Sequence, residues 1–489
     1  MSQQAIASDA PNAAKAAPEN AAPEKAAPEA AVIGLVERGR AAMRAFENAD
    51  QARVDEAVRA LAWALYKPEN ARALAEMAVA DTGLGNVPDK IVKNQRKTFG
   101  CLRDLLRARS VGIIEEDPAR GLVVYAKPAG VVAAITPSTN PAATPINKAM
   151  MALKGRNAVI VAPSPAGWPT TARVIELARA ELDKIGLPAD LVQVLPNPVT
   201  REATKALMKA ADLIACTGSQ NNVRAAYSSG TPALGVGAGN VPVIIDSSAD
   251  LTDAAEKICK SKIFDNATSC SSENAVVILD EVYDAAIQAL EAAGGYMTDA
   301  AERGRIAKAL WPDGKLSREL IAKDADIFAR GAGLPPQAED AKFFMVADDG
   351  AGPGHPFSGE KLSLVLTVYR AKDFADAKRI LREILAYQGA GHSVGIHTGD
   401  MDHACELAEE IDVVRVLVNQ AHTFGNGGSF ENGLNFTLSM GCGTWGGNSI
   451  SENLSWRHFV NLTHLVTTIP EDCPSEEALF GPHWAKYGK

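Results

Sequence analysis

Short apolar runs alternate with amphipathic segments along most of the chain. The runs at residues 158–162, 241–245 and 275–279 are too short and too rich in β-branched residues for helices, so they predict buried strands. From Ile135 onward, strand, loop and helix follow one another repeatedly. That order predicts an α/β fold with a doubly wound parallel sheet.

The N-terminal part of the chain has a different pattern. Apolar positions recur at helical spacing in residues 31–47, 54–65 and 71–80, which predicts helices covering one face of the sheet. Residues 1–31 instead repeat an Ala-Ala-Pro-Glu unit from Ala16 and have no apolar face to bury. This composition predicts a disordered or semi-extended tail; an address for a larger assembly is the alternative.

Length and composition limit the class of protein. A chain of 489 residues is long enough for two or three domains, and 47% hydrophobic with 22% charged residues is typical of a soluble protein. No uncharged apolar run approaches the roughly 20 residues of a membrane span. The first residues form neither a basic region nor an apolar core of a signal peptide. We therefore expect a cytoplasmic protein with no membrane partner.

Charge and metal-ligating residues exclude further classes. The net charge of −10 disfavours a nucleic-acid partner. The seven cysteines are odd in number and scattered, without a Cys-x-x-Cys pair, and the eight histidines lack the spacing of metal ligands. We predict neither a disulfide framework nor a metal site.

One cysteine stands out as a candidate nucleophile. Cys270 lies in the hydroxyl-rich run Thr268-Ser-Cys-Ser-Ser272, immediately before the predicted strand 275–279. Loops that enter a strand commonly display functional side chains. The alternative is that Cys270 is a small buried apolar residue, as many free cysteines are.

The surrounding sequence resembles a known family. The stretch from Phe264 to Glu273 resembles the nucleophile loop of the CoA-acylating aldehyde dehydrogenases, and the likeness extends from about residue 35 to about residue 465. It includes Gly441-Cys-Gly-Thr-Trp-Gly-Gly-Asn-Ser449, a loop typical of that branch, in which Cys442 is expected to be structural. The resemblance implies that Cys270 is the catalytic nucleophile.

The resemblance also implies a domain organisation. It comprises the tail at 1–31, a cofactor-binding domain at 32–253, a catalytic domain at 254–440, and a segment at 441–489 that returns to the cofactor domain. Residues 113–132 read as two β-like runs broken by proline and glycine. In this family they form a small β flap for oligomerisation, so a homo-oligomer, dimer or tetramer, is expected.

A second catalytic residue is assigned in the same way. Asn140 follows the predicted strand that ends near Ile135, in a loop rich in proline and threonine. The resemblance implies that its amide donates a hydrogen bond to the oxyanion; a plain turn residue before proline is the alternative. Thr136 and Pro137, in the same loop, are assigned to the cofactor site.

Three further residues are candidates for binding the cofactor's phosphates. Thr217, Gly218 and Ser219 lie between a predicted strand and a predicted helix. The free N–H groups of a helix N-terminus bind pyrophosphate well. Ser219 could alternatively act as an ordinary helix cap.

The predicted cofactor is NADP, with NAD possible, and coenzyme A is the predicted co-substrate. The loop at 162–167, which includes Ser164, lacks the carboxylate that would bond a ribose 2′-OH and repel a 2′-phosphate. Glu360 lies in a motif that resembles the family's nicotinamide-ribose site, although Leu364 replaces the family's proline. A solvated loop carboxylate is the alternative reading of Glu360.

The stretch 234–242 bears on the fate of the acyl group. Its Gly-x-Gly-x-Gly pattern precedes a strand, whereas a dinucleotide fingerprint precedes a helix. Hydrolytic members of the family carry here a glutamate that activates water, and this stretch has no carboxylate. A thiol needs such a base less than water does, so we predict transfer to coenzyme A. Val236 is our best guess at the vacant base position.

Sulfoacetaldehyde is the expected substrate. The stretches at residues 60–70, 81–86 and 267–274 look most like the branch of the family that acts on this aldehyde. Hydroxyl donors near the nucleophile would also suit a sulfonate, and the loop offers those of Thr268, Ser269, Ser271 and Ser272. No arginine can be assigned to the sulfonate from the pattern. The alternatives are acetaldehyde or another short aldehyde, and a non-catalytic scaffold assembled through the tail.

Overall fold

The computed structural model describes residues 23–489. Residues 1–22 of the predicted tail lie outside this range. The remaining part, residues 23–31, forms the beginning of a helix that runs from Pro23 to Phe46, and so it is not extended as predicted. Alanine, glutamate and lysine are strong helix formers, and the same helix is fixed to the core by the buried side chains of Val32 and Phe46.

The helices are numbered in chain order. They are α1 (Pro23–Phe46), α2 (Gln51–Tyr66), α3 (Pro68–Thr82), α4 (Val87–Leu106), α5 (Ala143–Lys154), α6 (Trp168–Lys184), α7 (Arg201–Ala210), α8 (Gln220–Tyr227), α9 (Leu251–Ile263), α10 (Tyr283–Ala292), α11 (Ala300–Leu310), α12 (Ala325–Gly331), α13 (Phe374–Tyr387), α14 (Met401–Glu410), α15 (His422–Gly425) and α16 (Glu476–Tyr487).

The strands form three sheets. They are β1 (Gly112–Asp117), β2 (Leu122–Pro128), β3 (Val131–Thr136), β4 (Ala158–Pro163), β5 (Val192–Val194), β6 (Leu213–Thr217), β7 (Ala233–Val236), β8 (Val241–Ile245), β9 (Glu273–Leu279), β10 (Gly295–Met297), β11 (Phe343–Ala347), β12 (Val365–Ala371), β13 (Val394–His397), β14 (Val416–Val418) and β15 (Val460–Val466).

The first sheet is parallel, with strand order β5-β4-β3-β6-β7. Strand order reverses beside β3, which is the first strand of the sheet along the chain, as in other doubly wound folds. Every residue of β3 and β4 is buried, because helices α1, α2, α5 and α6 supply apolar side chains to one continuous core. The predicted α/β fold class is confirmed.

The second sheet is also parallel and has seven strands, in the order β10-β11-β12-β9-β8-β13-β14. Strand β8 belongs to this sheet, so the chain passes between the two sheets at residues 237–240 and not at the predicted boundary after residue 253. The apolar pattern of β8 gives a strand but says nothing about which sheet it joins. Likewise, Phe436 already packs in the first core, a few residues before the predicted return at 441.

The third sheet is small and antiparallel, with order β1-β2-β15. It contains most of the ribbon predicted at 113–132, although Val131 and Val132 begin β3 instead. The third strand comes from the far C-terminal part of the chain. Its Leu462, Leu465 and Val466 are each more than half exposed. From Pro23 to the C-terminus, no helix is both long enough and apolar enough to cross a bilayer.

Candidate active site

Cys270 follows a left-handed turn in the loop between α9 and β9. Asp265, Asn266 and Ala267 have φ angles of 50°, 52° and 59°. Asparagine and aspartate tolerate this conformation better than other residues that carry a Cβ, whereas alanine pays a steric cost of about 1–2 kcal/mol. Strain of this kind persists only where the surrounding contacts fix it. The turn therefore sets the direction from which the chain reaches Cys270.

A buried ion-pair cluster holds the turn. The carboxylate of Asp265 pairs with Lys93 and lies 3.1 Å from Lys90 Nζ; both lysines belong to α4. Burial alone would raise the pKa of Asp265, but Lys93 and Lys90 hold it below its usual value. Asn266 Nδ2 donates to Asp324 Oδ1 at 2.7 Å. The turn is thus tied to two other parts of the chain.

The thiol of Cys270 is neutral in the unliganded protein. Burial, together with the nearby Glu360 and Cys442, raises its pKa to about 12, while Arg415 acts in the opposite direction. A cation near a thiol favours the thiolate, the form that attacks a carbonyl. The site is therefore arranged so that ionisation of the nucleophile depends on its charged neighbours.

Gly239 packs directly against Cys270. A Cβ added to Gly239 would lie 2.7 Å from Cys270 Cβ and closer still to the Cys270 carbonyl oxygen. The carboxylate-free stretch predicted to matter for acyl transfer therefore touches the nucleophile. Val236, the predicted position of the missing general base, is buried at the end of β7. The residue of this stretch that contacts Cys270 is Gly239.

Glu360 belongs to the same cluster. Burial raises its pKa to about 8, while a hydrogen bond from the backbone N–H of Gly239 and the charge of Lys361 lower it. Its own N–H donates to Gln388 Oε1 at 3.0 Å. Glu360 is therefore a partly buried carboxylate beside the nucleophile, and not a solvated loop residue.

Lys361 and Arg415 support the site, and the sequence patterns did not identify either of them. Lys361 is buried, and its Nζ donates to the carbonyl oxygens of Phe357, Asn274 and Gly359 at 2.6, 2.9 and 3.1 Å. It thereby fastens the Glu360 loop to the beginning of β9. The sequence signal for Lys361 was its position directly after Glu360, in the motif that resembles the family's nicotinamide-ribose site.

Arg415 is also buried and lies near Cys270. Its guanidinium donates to the carbonyl oxygens of His392 and Gly441, both at 2.8 Å, and to Asn453 Oδ1 at 3.0 Å. Burial lowers its pKa to about 10. The sequence signal for Arg415 was its position as a single charged residue within the apolar run at 413–418, which indicates a polar partner in the interior.

Asn140 lies in a small chamber beside the nucleophile loop. We call this the inner chamber; its wall includes Lys93, Arg96, Lys97, Asn140, Ser269 and Ser271. The one side-chain partner of Asn140 Nδ2 among residues 23–489 is Thr139 Oγ1, at a weak 3.4 Å. The amide is thus available to donate to a ligand. The structure brings Asn140 together with the two serines that flank Cys270.

The four predicted hydroxyls divide into two pairs. Ser269 and Ser271 line the inner chamber. Thr268 is engaged below it, donating to Asp265 and accepting from Lys93 Nζ at 3.1 Å, and Ser272 is buried elsewhere. The expectation that all four face the substrate is therefore wrong, because successive residues of the loop point in different directions.

The predicted cofactor residues gather at the carboxyl ends of neighbouring strands. Thr136 ends β3, Ser164 follows β4, and Thr217 ends β6. The N–H of Ser164 donates to the carbonyl oxygen of Thr136 at 3.1 Å, and Pro137 continues the same loop. The Oγ1 of Thr136 is buried without a partner in the described part of the chain. An unpaired hydroxyl at the strand ends fits a bound dinucleotide.

The loop Thr217-Gly218-Ser219 leads into α8 as predicted. Ser219 is exposed and accepts a hydrogen bond from the N–H of Asn222 at 3.4 Å, so it caps the helix. The hydroxyl of Thr217 lies 2.7 Å from Ser439 Oγ. The capping role of Ser219 is present, and it leaves the N-terminus of α8 accessible for a phosphate.

A second cleft, of about 280 Å³, lies beside the carboxylate-free stretch. Its wall includes Gln220, Gly237, Gly389, Cys442 and Trp445. The loop at residues 441–449 therefore borders a cleft that also touches the N-terminus of α8. Cys442 is buried, and burial raises its pKa to about 11, consistent with the structural role expected for it.

One acidic cluster with a histidine could be mistaken for a metal site. Ligand atoms of Asp348, Asp349 and His355 lie within 4.8 Å of one another. The carboxylate of Asp348 is already 3.0 Å from the guanidinium of Arg303 and 2.8 Å from His355 Nδ1. We interpret this cluster as an ion-pair network.

The fold and the site together define the class of protein: the chain belongs to the aldehyde dehydrogenase family, which residues 8–298 match. It is 55% identical to the sulfoacetaldehyde dehydrogenase (acylating) of Cupriavidus necator over 94% of this chain and 93% of that one. It is 46% identical to the enzyme of the same name from Bilophila wadsworthia, over 93% and 98% of the two chains.

A solved structure shows the same architecture. The acetylating aldehyde dehydrogenase of Geobacillus thermoglucosidasius superimposes with a TM-score of 0.88 at 34% identity, covering 93% of this chain and all of that one. The family resemblance found in the sequence is therefore confirmed. The chain is an oxidoreductase of the class that acts on aldehydes.

Proposed function

We propose that the protein oxidises sulfoacetaldehyde to sulfoacetyl-CoA with NADP or NAD as hydride acceptor. The observation that carries the proposal is the contact between Gly239 and Cys270, because it brings a stretch without any carboxylate against the nucleophile. The similarity to two acylating sulfoacetaldehyde dehydrogenases over more than nine tenths of the chain supports the substrate.

The first step is attack by Cys270 on the carbonyl carbon. The thiol of Cys270 gives its proton to solvent, the thiolate sulfur then forms a bond to the carbonyl carbon, and the carbonyl oxygen becomes an oxyanion. The free amide of Asn140 and the backbone N–H of Cys270 donate to that oxygen. One such donor contributes about 10²–10³ in rate. Arg415 favours the thiolate, whereas Glu360 and burial oppose it.

The strand ends and the N-terminus of α8 are the proposed nucleotide site. Thr136, Pro137 and Ser164 would face the nucleotide, Thr217, Gly218 and Ser219 its phosphates, and Glu360 the nicotinamide ribose. Bound there, the nicotinamide would accept hydride from the thiohemiacetal and add a positive charge near Cys270. The uncharged loop around Ser164 leads us to favour NADP over NAD.

Release of the product requires a nucleophile for the acyl group on Cys270. Water is a poor nucleophile toward a thioester without a positioned general base. Glu360, the carboxylate beside Cys270, is assigned to the nicotinamide ribose and not to that role. The thiol of coenzyme A ionises more readily and attacks the thioester carbon, returning the Cys270 thiolate and forming the CoA thioester. The cleft beside Cys442 and Trp445 is the proposed path for coenzyme A, since it borders the stretch that contacts Cys270.

We also propose that the protein is a homo-oligomer joined through the third sheet. The exposed apolar side chains of Leu462, Leu465 and Val466 on β15 support this, because such side chains are usually covered in an assembly. Oligomer size and the cytoplasmic location remain predictions.

The test is the rate of NADP and NAD reduction by the purified protein with sulfoacetaldehyde and with acetaldehyde, each with and without coenzyme A. We expect strict dependence on coenzyme A and a higher kcat/KM for sulfoacetaldehyde. Cys270→Ala should abolish the reaction, and Cys405→Ala, at an exposed cysteine on α14, should not. A higher kcat/KM for acetaldehyde would favour the acetylating function of the Geobacillus relative instead.

A further inference from the structure

Three cations of α4 lie in the wall of the inner chamber. Lys93, Arg96 and Lys97 are spaced i, i+3 and i+4, so they share one face of the helix. The same chamber contains Asn140 and the serines beside Cys270. A chamber that holds the proposed oxyanion donor is therefore lined on one side by positive charge.

The charge of Lys93 is already compensated. Its ammonium group pairs with the buried carboxylate of Asp265 and bonds Thr268 Oγ1 at 3.1 Å. Lys93 therefore belongs to the cluster that holds the left-handed turn before Cys270.

Arg96 and Lys97 have no such partner. Within residues 23–489, neither has a carboxylate within 4.0 Å. Lys97 Nζ donates to the carbonyl oxygen of Gly427 at 2.9 Å, and Arg96 donates to Ser429 Oγ at 3.2 Å. The Nε of Arg96 is buried without a hydrogen-bond partner in the described chain. Arg96 thus retains an unpaired donor, and the carboxylate of Glu431 acts on it only from beyond 4.0 Å.

Three phenylalanine rings lie around these two cations. The guanidinium carbon of Arg96 lies 5.1, 5.6 and 5.8 Å from the ring centroids of Phe430, Phe424 and Phe436, and Lys97 Nζ lies 5.5 Å from that of Phe436. Aromatic faces attract cations but do not neutralise them.

Burial without a carboxylate partner affects the pKa of Lys97. Burial, with the positive charges of Arg96 and Lys93, lowers its pKa to about 7, and Cys270 acts weakly in the opposite direction. Burying the ammonium group of Lys97 beside the partly buried guanidinium of Arg96, with no carboxylate within 4.0 Å of either, is unfavourable. An anion bound between them would relieve this cost.

We infer that Arg96 and Lys97 bind the sulfonate group of the aldehyde substrate within the inner chamber. The inference rests on the proposed function. In sulfoacetaldehyde a single methylene separates the sulfonate from the aldehyde carbon, so an anion site must lie in the same chamber as the oxyanion donor. Asn140, Arg96 and Lys97 meet that requirement by position, and the walls of the chamber, which encloses about 30 Å³ without a ligand, must separate to admit the sulfonate. The guanidinium supplies directed donors for sulfonate oxygens, and the ammonium a compact charge.

The pair would determine specificity. Propionaldehyde carries an uncharged methyl group in the place of the sulfonate of sulfoacetaldehyde. It would therefore leave both cations without an anionic partner in the chamber. A site built for a charged group rejects the uncharged analogue strongly for this reason.

The experiment compares kcat/KM for sulfoacetaldehyde and propionaldehyde in wild type, Lys97→Met and Arg96→Gln. Losing one charge-assisted contact should reduce kcat/KM for sulfoacetaldehyde by on the order of 10²-fold, whereas kcat/KM for propionaldehyde should stay the same or rise, because one unpaired cation is removed. Lys260→Met is the matched control, because Lys260 lies 5.1 Å from the ring centroid of Phe424 but lines a different cleft, with Glu256 and Lys342. Equal losses for both aldehydes, or no loss for either, would overturn the inference.

A second measurement does not depend on turnover, and its first comparison uses the wild-type protein alone. Ethanesulfonate should slow alkylation of Cys270 by iodoacetamide in wild type, whereas propanol should not. Lys97→Arg should retain this protection and Lys97→Met should lose it. Protection in wild type without any oxidation of sulfoacetaldehyde would reject the proposed function but leave the anion site standing. Absence of protection alongside normal sulfoacetaldehyde turnover would reject the site alone.

Discussion

The α-carbon of Gly239 lies so close to Cys270 that an added Cβ would be 2.7 Å from Cys270 Cβ. Gly239→Ala should therefore displace the nucleophile or the loop. Because misplacement of a reacting atom by about 1 Å costs around 10²-fold in rate, we expect kcat to fall by at least that factor. The measurement is steady-state kinetics with saturating coenzyme A.

Gly304→Ala is the control for this substitution. A Cβ at Gly304, in α11, meets no atom within 4 Å, and alanine is favoured over glycine in a helix by roughly 0.5–1 kcal/mol. Full activity of Gly304→Ala with normal activity of Gly239→Ala would show that the contact at Cys270 has no functional consequence.

Glu360 should control the ionisation of Cys270. Its negative charge is one cause of the raised pKa of the thiol, so Glu360→Gln should lower that pKa. The pH dependence of iodoacetamide alkylation, without nucleotide, measures this directly. We expect the alkylation profile of the variant to shift to lower pH. A shift to higher pH would mean that Glu360 removes the thiol proton instead of opposing its loss.

The Asp265 cluster should stabilise the fold in a pH-dependent way. Asp265→Asn leaves Lys90 and Lys93 buried without a counter-ion, which costs about 3–5 kcal/mol at pH 7. The pKa of Asp265 is held below its unfolded value, about 3.9, so its contribution is complete above that value. It is lost as the pH falls through the folded pKa.

Urea unfolding followed by tryptophan fluorescence tests this prediction. The difference in free energy of unfolding between wild type and Asp265→Asn should become smaller as the pH is lowered below about 4. Asp280→Asn is the control, since Asp280 pairs with Arg370 at the surface, where such pairs contribute about 0–1 kcal/mol. Similar destabilisation by the two substitutions would contradict the role given to the buried cluster.

The charge of Lys97 should appear in the pH dependence of specificity. Lys93 and Arg96 face it from α4 and Cys270 from the nucleophile loop, and its pKa is lowered to about 7. As the pH rises through that value, the free enzyme loses the ammonium charge. The ratio of kcat/KM for sulfoacetaldehyde to that for propionaldehyde should then fall. Using a ratio removes the ionisation of Cys270, which both substrates share; a flat ratio from pH 6 to 9 would contradict the assignment.

The sequence was sufficient to predict most strands and the family. Strands such as β4, β8 and β9 follow from apolar runs that only a buried sheet can accommodate, and the family follows from motifs around Cys270 and Asn140, whose catalytic roles stay predictions. These are local signals. They depend on a few neighbouring residues and not on where distant parts of the chain meet.

The features that the sequence did not predict depend on distant contacts. Lysines and arginines on a helix usually face solvent, so nothing local marks Lys93, Arg96 and Lys97 as residues of an interior chamber. Asp265, the partner of Lys93, lies 172 residues further along the chain. The sheet that β8 joins, and the pairing of β15 with β2, are likewise fixed by the tertiary fold.

The central claim is that Cys270 carries the acyl group until coenzyme A removes it. A rapid-mixing experiment with saturating sulfoacetaldehyde and nucleotide, but no coenzyme A, tests it directly. We predict a burst of one reduced nucleotide per active site followed by almost no turnover, an acyl adduct on the Cys270 peptide, and its release on adding coenzyme A. Continuous turnover in the absence of coenzyme A would contradict the account, because it would show that water reaches the thioester.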